Sequence, residues 1–399
     1  MQSKLKGRNT RVILLRHGQS TYNALGLYQG SSDRPNLTEL GRQQAQLTGE
    51  FLKGIPFDAI YASPLQRAKE TAKAVVRSRT QDAYPTIHIV PHLRETELPA
   101  WQGLSFQFVK EQFPEEYRCW KQRPHEFRME IPLAIQNDSN FQLPIETLKT
   151  KQYCFPALDL YDRIQKFWQE ILPRHIGQTI LIVSHGGTNR ALISTALSVS
   201  PAHYHSIEQS NCAISILNFP DGCLESGQLE AMNRATHVGE KLPKSENGLR
   251  LLLIPAETEN PEQIQQLAQL LKDIAIDFSI SGDLDNSHLI TEQILQHHPT
   301  TVQLQVLRED FPQLWQQAIN VRNKMNSSRS LTGSIVARDR VIQSFLGQVL
   351  GMNRDRLWRL HLHPGTISIL HYPDSEHPPI LRAMNIDISV RAGSMLVAR

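Results

Sequence analysis

The feature of this chain that most restricts its fold is an internal duplication. Four short segments occur twice, in the same order in both halves. The segments and their repeats are 52–58 and 271–277, 93–95 and 307–309, 213–221 (AISILNFPD) and 366–374 (TISILHYPD), and 229–233 (LEAMN) and 381–385 (LRAMN). Chance rarely arranges four matches in one order, so we infer that one fold has been copied in tandem.

Chain length agrees with two domains. The chain has 399 residues, whereas a single hydrophobic core stops growing at about 250–300 residues. The repeats predict a first domain at 1–238 and a second at 246–399, joined by a polar linker around 239–248. Within the first domain, a polar and aperiodic stretch at about 121–156 is expected to be an insertion, either a lid or a plain surface excursion.

Strands and helices are expected to alternate in the first domain. Apolar runs at 11–15, 57–61, 87–90 and 179–183 predict strands, and helical periodicity follows them up to Phe51 and over 65–77. This alternation is typical of a three-layer α/β domain with a mostly parallel sheet. Ligands of such domains bind beyond the carboxyl ends of the strands. The tandem repeat then predicts a second copy of this fold.

The composition excludes several classes of function. Lys and Arg number 42 against 39 for Asp and Glu, a net charge of +3, and no cluster is dense enough to require a nucleic-acid partner. No segment approaches the roughly 20 apolar residues needed to cross a bilayer. The four cysteines are scattered without a CxxC pair, which argues against a disulfide framework or a zinc site. We therefore expect a reduced cytoplasmic protein with no nucleic-acid or membrane partner.

The tripeptide Arg16-His17-Gly18 follows the first predicted strand directly. An imidazole beside a guanidinium, with a glycine that permits close backbone approach, suits an anionic ligand and a nucleophilic histidine. The planar fork of arginine matches the oxygens of a phosphoryl group. Alone, this tripeptide is more often a strand end whose histidine bonds to a backbone carbonyl.

Three further pieces lie after other predicted strands. Arg67 begins a helix within Ser63-Pro-Leu-Gln-Arg67, Glu95 follows the third strand, and His185-Gly186 opens a glycine-rich turn before a helix. Such a turn directs backbone N–H groups and the positive end of a helix dipole toward an anion. Each piece alone has a structural explanation, but four pieces at four strand ends favour one anion-binding site.

The combined motifs resemble those of the histidine phosphatase superfamily, which has the phosphoglycerate-mutase-like fold. The resemblance is strong over about 11–220, and the second half is similar to a decayed copy. The matching residues are Arg16-His17-Gly18, Asn23, Ser63-Pro-Leu-Gln-Arg67, Glu95 and His185-Gly186.

The resemblance implies phosphoryl transfer in two steps. His17 would attack phosphorus, and Glu95 would protonate the leaving oxygen and later deprotonate a water molecule. Neighbouring guanidiniums are expected to keep His17 neutral. The phosphoryl oxygens and the rest of the substrate would be bound by Arg16, Arg67, His185, Asn23, Gln29, Gly30 and the amide of Gly186. Two guanidiniums and an imidazolium would serve in place of a metal, so no metal or cofactor is expected.

The segment after Glu95 resembles phosphatases more than mutases, because an aromatic and a glycine follow at Trp101 and Gly103. The small phosphorylated substrate stays open between two types. Residues 28–30 and 113–125 are similar to metal-independent phosphoserine phosphatases, whereas residues 209–212 and the tandem form are similar to 2-carboxy-D-arabinitol-1-phosphate phosphatases. The tandem form favours the second type, a phosphatase for small acidic sugar phosphates. A mutase and a non-enzymatic phospholigand-binding scaffold are weaker alternatives.

The second copy is expected to be catalytically inactive. When the two repeats are aligned, the reactive residues of the first copy correspond to residues that lack that chemistry. The pairs are Arg16 and Pro255, His17 and Ala256, Arg67 and Asn286, and His185 and Arg338. Only the glutamate persists, as Glu309. We expect this domain to pack against the first within one chain, like a partner subunit; the sequence also leaves a homodimer open.

Overall fold

The computed structural model describes residues 9–78, 86–131, 152–240, 242–243, 247–258, 260–282, 285–305, 330–373 and 377–387. They divide into two compact units. The first unit contains the described residues up to 205 together with 209–227, and the second contains 206–208 and the described residues from 228 onward.

The described part of the first unit alternates strands and helices as predicted. Its strands are β1 (Thr10–Arg16), β2 (Ala59–Ala62), β3 (Ile87–Ile89), β4 (Met129–Glu130), β5 (Tyr153–Cys154), β6 (Thr179–Ser184) and β7 (Ile214–Phe219). Its helices are α1 (Thr21–Ala24), α2 (Glu39–Phe51), α3 (Gln66–Arg77), α4 (Phe106–Gln112), α5 (Pro114–Gln122), α6 (Pro156–Ile171) and α7 (Gly186–Ala196).

The main sheet of this unit has the strand order β7-β1-β6-β2-β3. β1, β6, β2 and β3 are parallel, and β7 runs antiparallel to β1. The apolar run from Val12 to Leu15 is wholly buried, as expected for a parallel strand covered on both faces. Arg16 lies opposite Ser184 in the register of β1 and β6. The residues that follow, His17 and His185, therefore leave the same edge of the sheet.

The helices begin and pack for identifiable local reasons. Thr38 caps α2, because its hydroxyl oxygen accepts a hydrogen bond from the amide of Gly41 at 3.0 Å. α3 buries Ala68, Ala72 and Val75, a spacing that places them on one helix face. α2 packs on α3, and α6 packs on α7. These contacts fix the helix starts that face the carboxyl edge of the sheet.

The second unit repeats this topology. Its strands are β8 (Gln228–Arg234), β9 (Leu249–Pro255), β10 (Phe278–Ser281), β11 (Val302–Gln305), β12 (Leu331–Ala337), β13 (Ile367–Tyr372) and β14 (Ile380–Ile386), and its helices are α8 (Pro261–Leu271), α9 (Asp285–Leu295) and α10 (Asp339–Leu350). The sheet order is β11-β10-β12-β9-β13-β14-β8. β9, β10, β11 and β12 are parallel, and β13 is antiparallel to β9. The tandem copy of the fold is thus confirmed.

Register and backbone conformation agree at the level of single residues. Pro255 lies opposite Ala337 in β9 and β12, at the positions that Arg16 and Ser184 occupy in the first unit. Asn233 and Asn385, which end the repeated LxAMN segment, both have a left-handed backbone with φ of 56° and 55°. Asparagine tolerates that conformation better than most residues, which explains its presence in both copies.

Some predictions cannot be judged from the described residues. Most of the expected insertion and Glu309 lie outside them. The domain boundary at 238 stays a prediction, although packing assigns β8 to the second unit. Cys119, Cys154, Cys212 and Cys223 all carry free thiols. Within the described residues, no helix has the length and apolar character needed to span a membrane.

Candidate active site

The side chains predicted to react converge at the carboxyl edge of the first unit's sheet. The imidazole rings of His17 and His185 lie with their centroids 5.1 Å apart. The charges of Glu95 and Arg16 act on the guanidinium of Arg67, which is itself wholly buried. We call these five residues the catalytic cup. They come from the ends of β1, β2 and β6 and from the turn after β3.

His17 presents one nitrogen for attack. Its Nδ1 lies 2.7 Å from the carbonyl oxygen of Gly18. Because a carbonyl can only accept, Nδ1 carries the hydrogen and Nε2 keeps its lone pair. Burial, followed by the charges of Arg67 and Arg16, holds the pKa of His17 well below its usual value. The imidazole of His17 is therefore neutral at neutral pH, as a nucleophile would need to be.

Gly18 is required by a close approach of two backbone segments. A Cβ at Gly18 would overlap the carbonyl oxygen of Gly41 in the first turn of α2. The amide of Gly18 donates to the hydroxyl of Thr71 at 3.1 Å. The nucleophile's loop is thus held between α2 and α3, which orients the imidazole through its neighbouring residue.

The two arginines of the cup are fixed by backbone carbonyls. Arg16 donates through Nη1 to the carbonyl of Gln209 at 2.5 Å. Arg67 donates through Nη1 and Nη2 to the carbonyls of Ser32 (2.7 Å) and Gly30 (2.9 Å). Burial lowers the pKa of Arg67 to about 10, against the opposing effect of Glu95. Arg67 therefore stays charged at neutral pH and offers a fixed positive fork to an anion.

His185 is oriented by a hydroxyl that the sequence motif contained without an assigned role. Its Nε2 lies 2.7 Å from Oγ of Ser63, and its Nδ1 is buried without a partner in the described part of the chain. Burial, Arg67 and His17 lower the pKa of His185 well below its usual value. His185 is therefore neutral in this structure, and the imidazolium expected opposite a phosphoryl group stays a prediction.

Glu95 is held at the start of α7. Its Oε2 accepts from the amide of Gly187 at 3.0 Å, and its Oε1 accepts from the amide of Thr188 at 3.1 Å. The amide and hydroxyl of Thr96 donate to Oε1 at 2.8 Å and 3.1 Å, and the hydroxyl of Tyr204 lies 2.7 Å from that of Thr96. These contacts fix the carboxyl group against a helix N-terminus. The carboxyl group is thus held rigidly in one position.

The predicted substrate-binding residues lie around the cup in different ways. Oδ1 of Asn23 accepts from Nδ2 of Asn211 at 3.1 Å, and the same nitrogen lies 3.0 Å from the carbonyl of His17. Gln29 is linked to this group through Ser20, because the hydroxyl of Ser20 lies 2.8 Å from Oε1 of Gln29.

The two predicted glycines also contact the cup. Gly30 holds Arg67 through its carbonyl. Gly186 begins α7, and a Cβ there would lie 3.4 Å from Nε of Arg16. Seven of the nine predicted site residues therefore lie in the cup or beside it, whereas Asn23 is connected to it through Asn211, and Gln29 through Ser20 and Asn23.

Sequence reasoning missed the residues that position this chemistry. They are Ser63, Thr71, Thr96, Thr188, Asn211, Arg163 and Tyr204. Ser63 belongs to the quoted SPLQR motif and could have been found there. The others are single polar or aromatic residues whose roles depend on long-range contacts. Among the described residues, no group of three or more His, Cys, Asp or Glu side chains is arranged to hold a metal ion.

The family model "Histidine phosphatase superfamily (branch 1)" matches residues 12–136 and 150–233, which include every residue of the catalytic cup. A 2-carboxy-D-arabinitol-1-phosphatase of Triticum aestivum is 34% identical over 227 residues, 56% of this chain and 40% of that protein. The chain thus spans well under half of that relative.

Two Arabidopsis thaliana proteins are also similar. A probable 2-carboxy-D-arabinitol-1-phosphatase is 26% identical over 91% of this chain and 84% of that protein. A metal-independent phosphoserine phosphatase is 30% identical over 50% of this chain and 74% of that protein.

Proposed function

We propose that the chain, which belongs to the histidine phosphatase superfamily, is a phosphoric monoester hydrolase that acts on a small acidic sugar phosphate through a phosphohistidine. 2-Carboxy-D-arabinitol 1-phosphate or a related ester is the proposed substrate. The observation that carries the proposal is the state of His17: a neutral imidazole with Nδ1 bonded to Gly18 and Nε2 unprotonated, beside Arg16 and Arg67.

In the first step, Nε2 of His17 forms a bond to phosphorus while the bond from phosphorus to the ester oxygen breaks. Glu95, in its acid form, gives its proton to that leaving oxygen. Arg16, Arg67, His185 and the amide of Gly186 stabilise the charge on the three phosphoryl oxygens. The products of this step are the free alcohol and the phosphohistidine.

In the second step, a water molecule attacks the phosphohistidine. Glu95, now ionised, takes a proton from the water as its oxygen bonds to phosphorus and the N–P bond breaks. Phosphate leaves, and both His17 and Glu95 return to their starting states. The hydrogen bonds from Gly187, Thr188 and Thr96 keep the carboxyl group in place for both transfers.

The substrate class is supported by the tandem arrangement. The Arabidopsis relative named for 2-carboxy-D-arabinitol 1-phosphate aligns with 91% of this chain, so the alignment extends into the second copy. The alternative is a metal-independent phosphoserine phosphatase, favoured by residues 28–30 and 113–125 and by the second Arabidopsis relative. Both substrates carry a phosphate monoester and a carboxylate.

A phosphate-release screen of the purified chain tests the proposal. We expect the highest kcat/KM with 2-carboxy-D-arabinitol 1-phosphate or another carboxylated sugar phosphate, and lower values with phosphoserine. Phosphoglycerate should not be converted to its isomer. Acid-labile, base-stable phosphate bound to the protein should appear in rapid-quench samples and be absent from His17→Ala. Hydrolysis by a folded His17→Ala variant at the parent rate would contradict the mechanism, and faster turnover of phosphoserine would favour the alternative.

A further inference from the structure

Arg94 is a third guanidinium beside the cup, and the proposed mechanism does not use it. The side chain is half-buried. Its Nη2 makes one long hydrogen bond of 3.4 Å to the carbonyl of Ser31, and its buried Nε has no acceptor among the described residues. No carboxylate of the described chain lies within ion-pair distance of it. Its capacity for hydrogen bonds and its charge are thus poorly satisfied by the protein.

The surroundings of Arg94 contain charges of both signs, because Glu97 and Glu95 also act on the charge of Arg163. The guanidinium of Arg94 lies close enough to Arg67 and Arg163 to act on the charge of both. Arg163 also donates to the backbone carbonyl of Arg94 at 2.8 Å, which fixes the main chain there. A partly buried cation without an ion-pair partner is unfavourable unless an anion joins it. Phosphate can compensate Arg16 and Arg67, so Arg94 is left for a second anionic group.

One short loop relates Arg94 to the cup. Arg67 bonds to the carbonyls of Gly30 and Ser32, and Arg94 bonds to the carbonyl of Ser31 between them. The hydroxyl of Ser31 is held by Glu97. The two guanidiniums therefore lie along the same backbone segment, with Arg67 in the cup and Arg94 next to Glu95 in the chain. Glu95 is the residue proposed to protonate the leaving oxygen, so Arg94 adjoins the residue that would face the leaving group.

We propose that Arg94 binds the carboxylate of the substrate and so selects phosphate monoesters of carboxylic acids. The inference rests on the proposed function and names the residue that sets its specificity. The planar fork of arginine matches two carboxylate oxygens, and a half-buried site strengthens this pairing relative to water.

Two esters that differ only in this group test the role of Arg94. 3-Phosphoglycerate and glycerol 3-phosphate share the phosphate and the three-carbon skeleton, and only the first has a carboxylate. We expect the parent to prefer 3-phosphoglycerate in kcat/KM by about tenfold to a hundredfold, the usual range for a charged hydrogen-bonded contact. Arg94→Met should remove this preference by lowering kcat/KM for 3-phosphoglycerate alone, and Arg94→Lys should restore part of it.

Arg34→Met is the matched control, because Arg34 is an exposed arginine of the same loop; it should leave the preference unchanged. An equal loss for both esters in Arg94→Met would give Arg94 a structural role only and overturn the proposal. A parent without preference, or a preference that survives Arg94→Met, would also overturn it.

Dissociation constants separate this inference from the proposed function. Titration calorimetry of both esters against His17→Ala, with and without Arg94→Met, needs no turnover. In His17→Ala, Kd should be lower for 3-phosphoglycerate than for glycerol 3-phosphate. Adding Arg94→Met should remove this difference. Failure of the parent to release phosphate would contradict the proposed function, whereas the ratio of the two Kd values tests Arg94 by itself.

Discussion

The five strands that the sheets of the two units share have the same order and directions, but different residues stand at their carboxyl ends. The first unit has Arg16 and His17 after β1 and His185 after β6, and the second has Pro255 and Ala256 after β9. Both keep buried apolar strands. The comparison shows that the buried strands specify this fold, whereas the residues at the sheet edge are not needed to form it.

The second unit also lacks the glycines that make space in the first. The position of Gly18 is occupied by Glu257, and Gly186 and Gly187 are replaced by Asp339 and Arg340. A glutamate still accepts hydrogen bonds at the start of the corresponding helix: Glu257 bonds the amide of Asp339 at 3.1 Å and 3.2 Å. A glutamate thus accepts hydrogen bonds from the N-terminal amides of this helix in both units. In the first unit it is Glu95, from the loop after β3, and in the second it is Glu257, from the loop after β9.

The largest expected difference between the copies concerns His185 and Arg338, which occupy matching positions in the two units. His185→Ala should lower kcat by about a hundredfold to a thousandfold, as expected for loss of a group that stabilises transition-state charge. Arg338→Ala, at the matching position of the second unit, should leave kcat unchanged. Steady-state phosphate release measures both, and circular dichroism checks folding. A loss of similar size in Arg338→Ala would mean that the second unit takes part in the chemistry.

A smaller difference between the two copies is expected when a glycine of the first unit is substituted. In Gly187→Ala, the new methyl group would overlap the hydroxyls of Thr96 and Tyr204 and Oε1 of Glu95. We expect a loss of about 1–3 kcal/mol in the free energy of unfolding and a fall in kcat, since Glu95 must move. Arg340→Ala tests the matching position and should change neither quantity. Urea denaturation and steady-state kinetics are the measurements, and an unaltered kcat in Gly187→Ala would contradict the position assigned to Glu95.

A hydroxyl deletion should have a weaker effect. Tyr204→Phe removes the hydroxyl that contacts Thr96, and Thr96 orients Oε1 of Glu95. The second unit has no hydroxyl at this position, because the corresponding residue is Leu357. We expect a loss of about 1 kcal/mol in the free energy of unfolding together with a several-fold fall in kcat. Tyr161→Phe is the control, because Tyr161 is another buried tyrosine. If both variants lower kcat equally, Tyr204 acts on stability alone.

The smallest expected effect lies in the second unit. Burial and the neighbouring charge of Glu257 raise the pKa of Asp339 to about 6, from an ordinary value of 3.8. Between these values a rising pH deprotonates the unfolded chain first, so that stability falls as pH rises, and the loss is complete above pH 6. Asp339→Asn should therefore raise the thermal midpoint slightly at pH 7.5. The gain should vanish below pH 3.8; a gain independent of pH would contradict this origin.

Sequence reasoning predicted the fold and named side chains that the fold brings together at one sheet edge, for a physical reason. Buried parallel strands such as β1 read as apolar runs, and the residues after them, including His17 and His185, must share one sheet edge. The lowered pKa of His185 could not be predicted from the sequence, since burial by distant segments is its main cause. Tyr204 and Asn211 were missed because only the folded chain brings them to Glu95 and His17.

In the proposed mechanism, the hydrogen bond from His17 to the carbonyl of Gly18 determines how protons move during turnover. The hydrogen on Nδ1 need not leave when Nε2 is phosphorylated, and it is still there when phosphate departs. The nucleophile therefore requires no base to activate it and no acid to reset it. A single exchangeable hydrogen, the one on the carboxyl group of Glu95, passes in each direction per catalytic cycle. Rates in mixtures of light and heavy water should accordingly vary linearly with deuterium content.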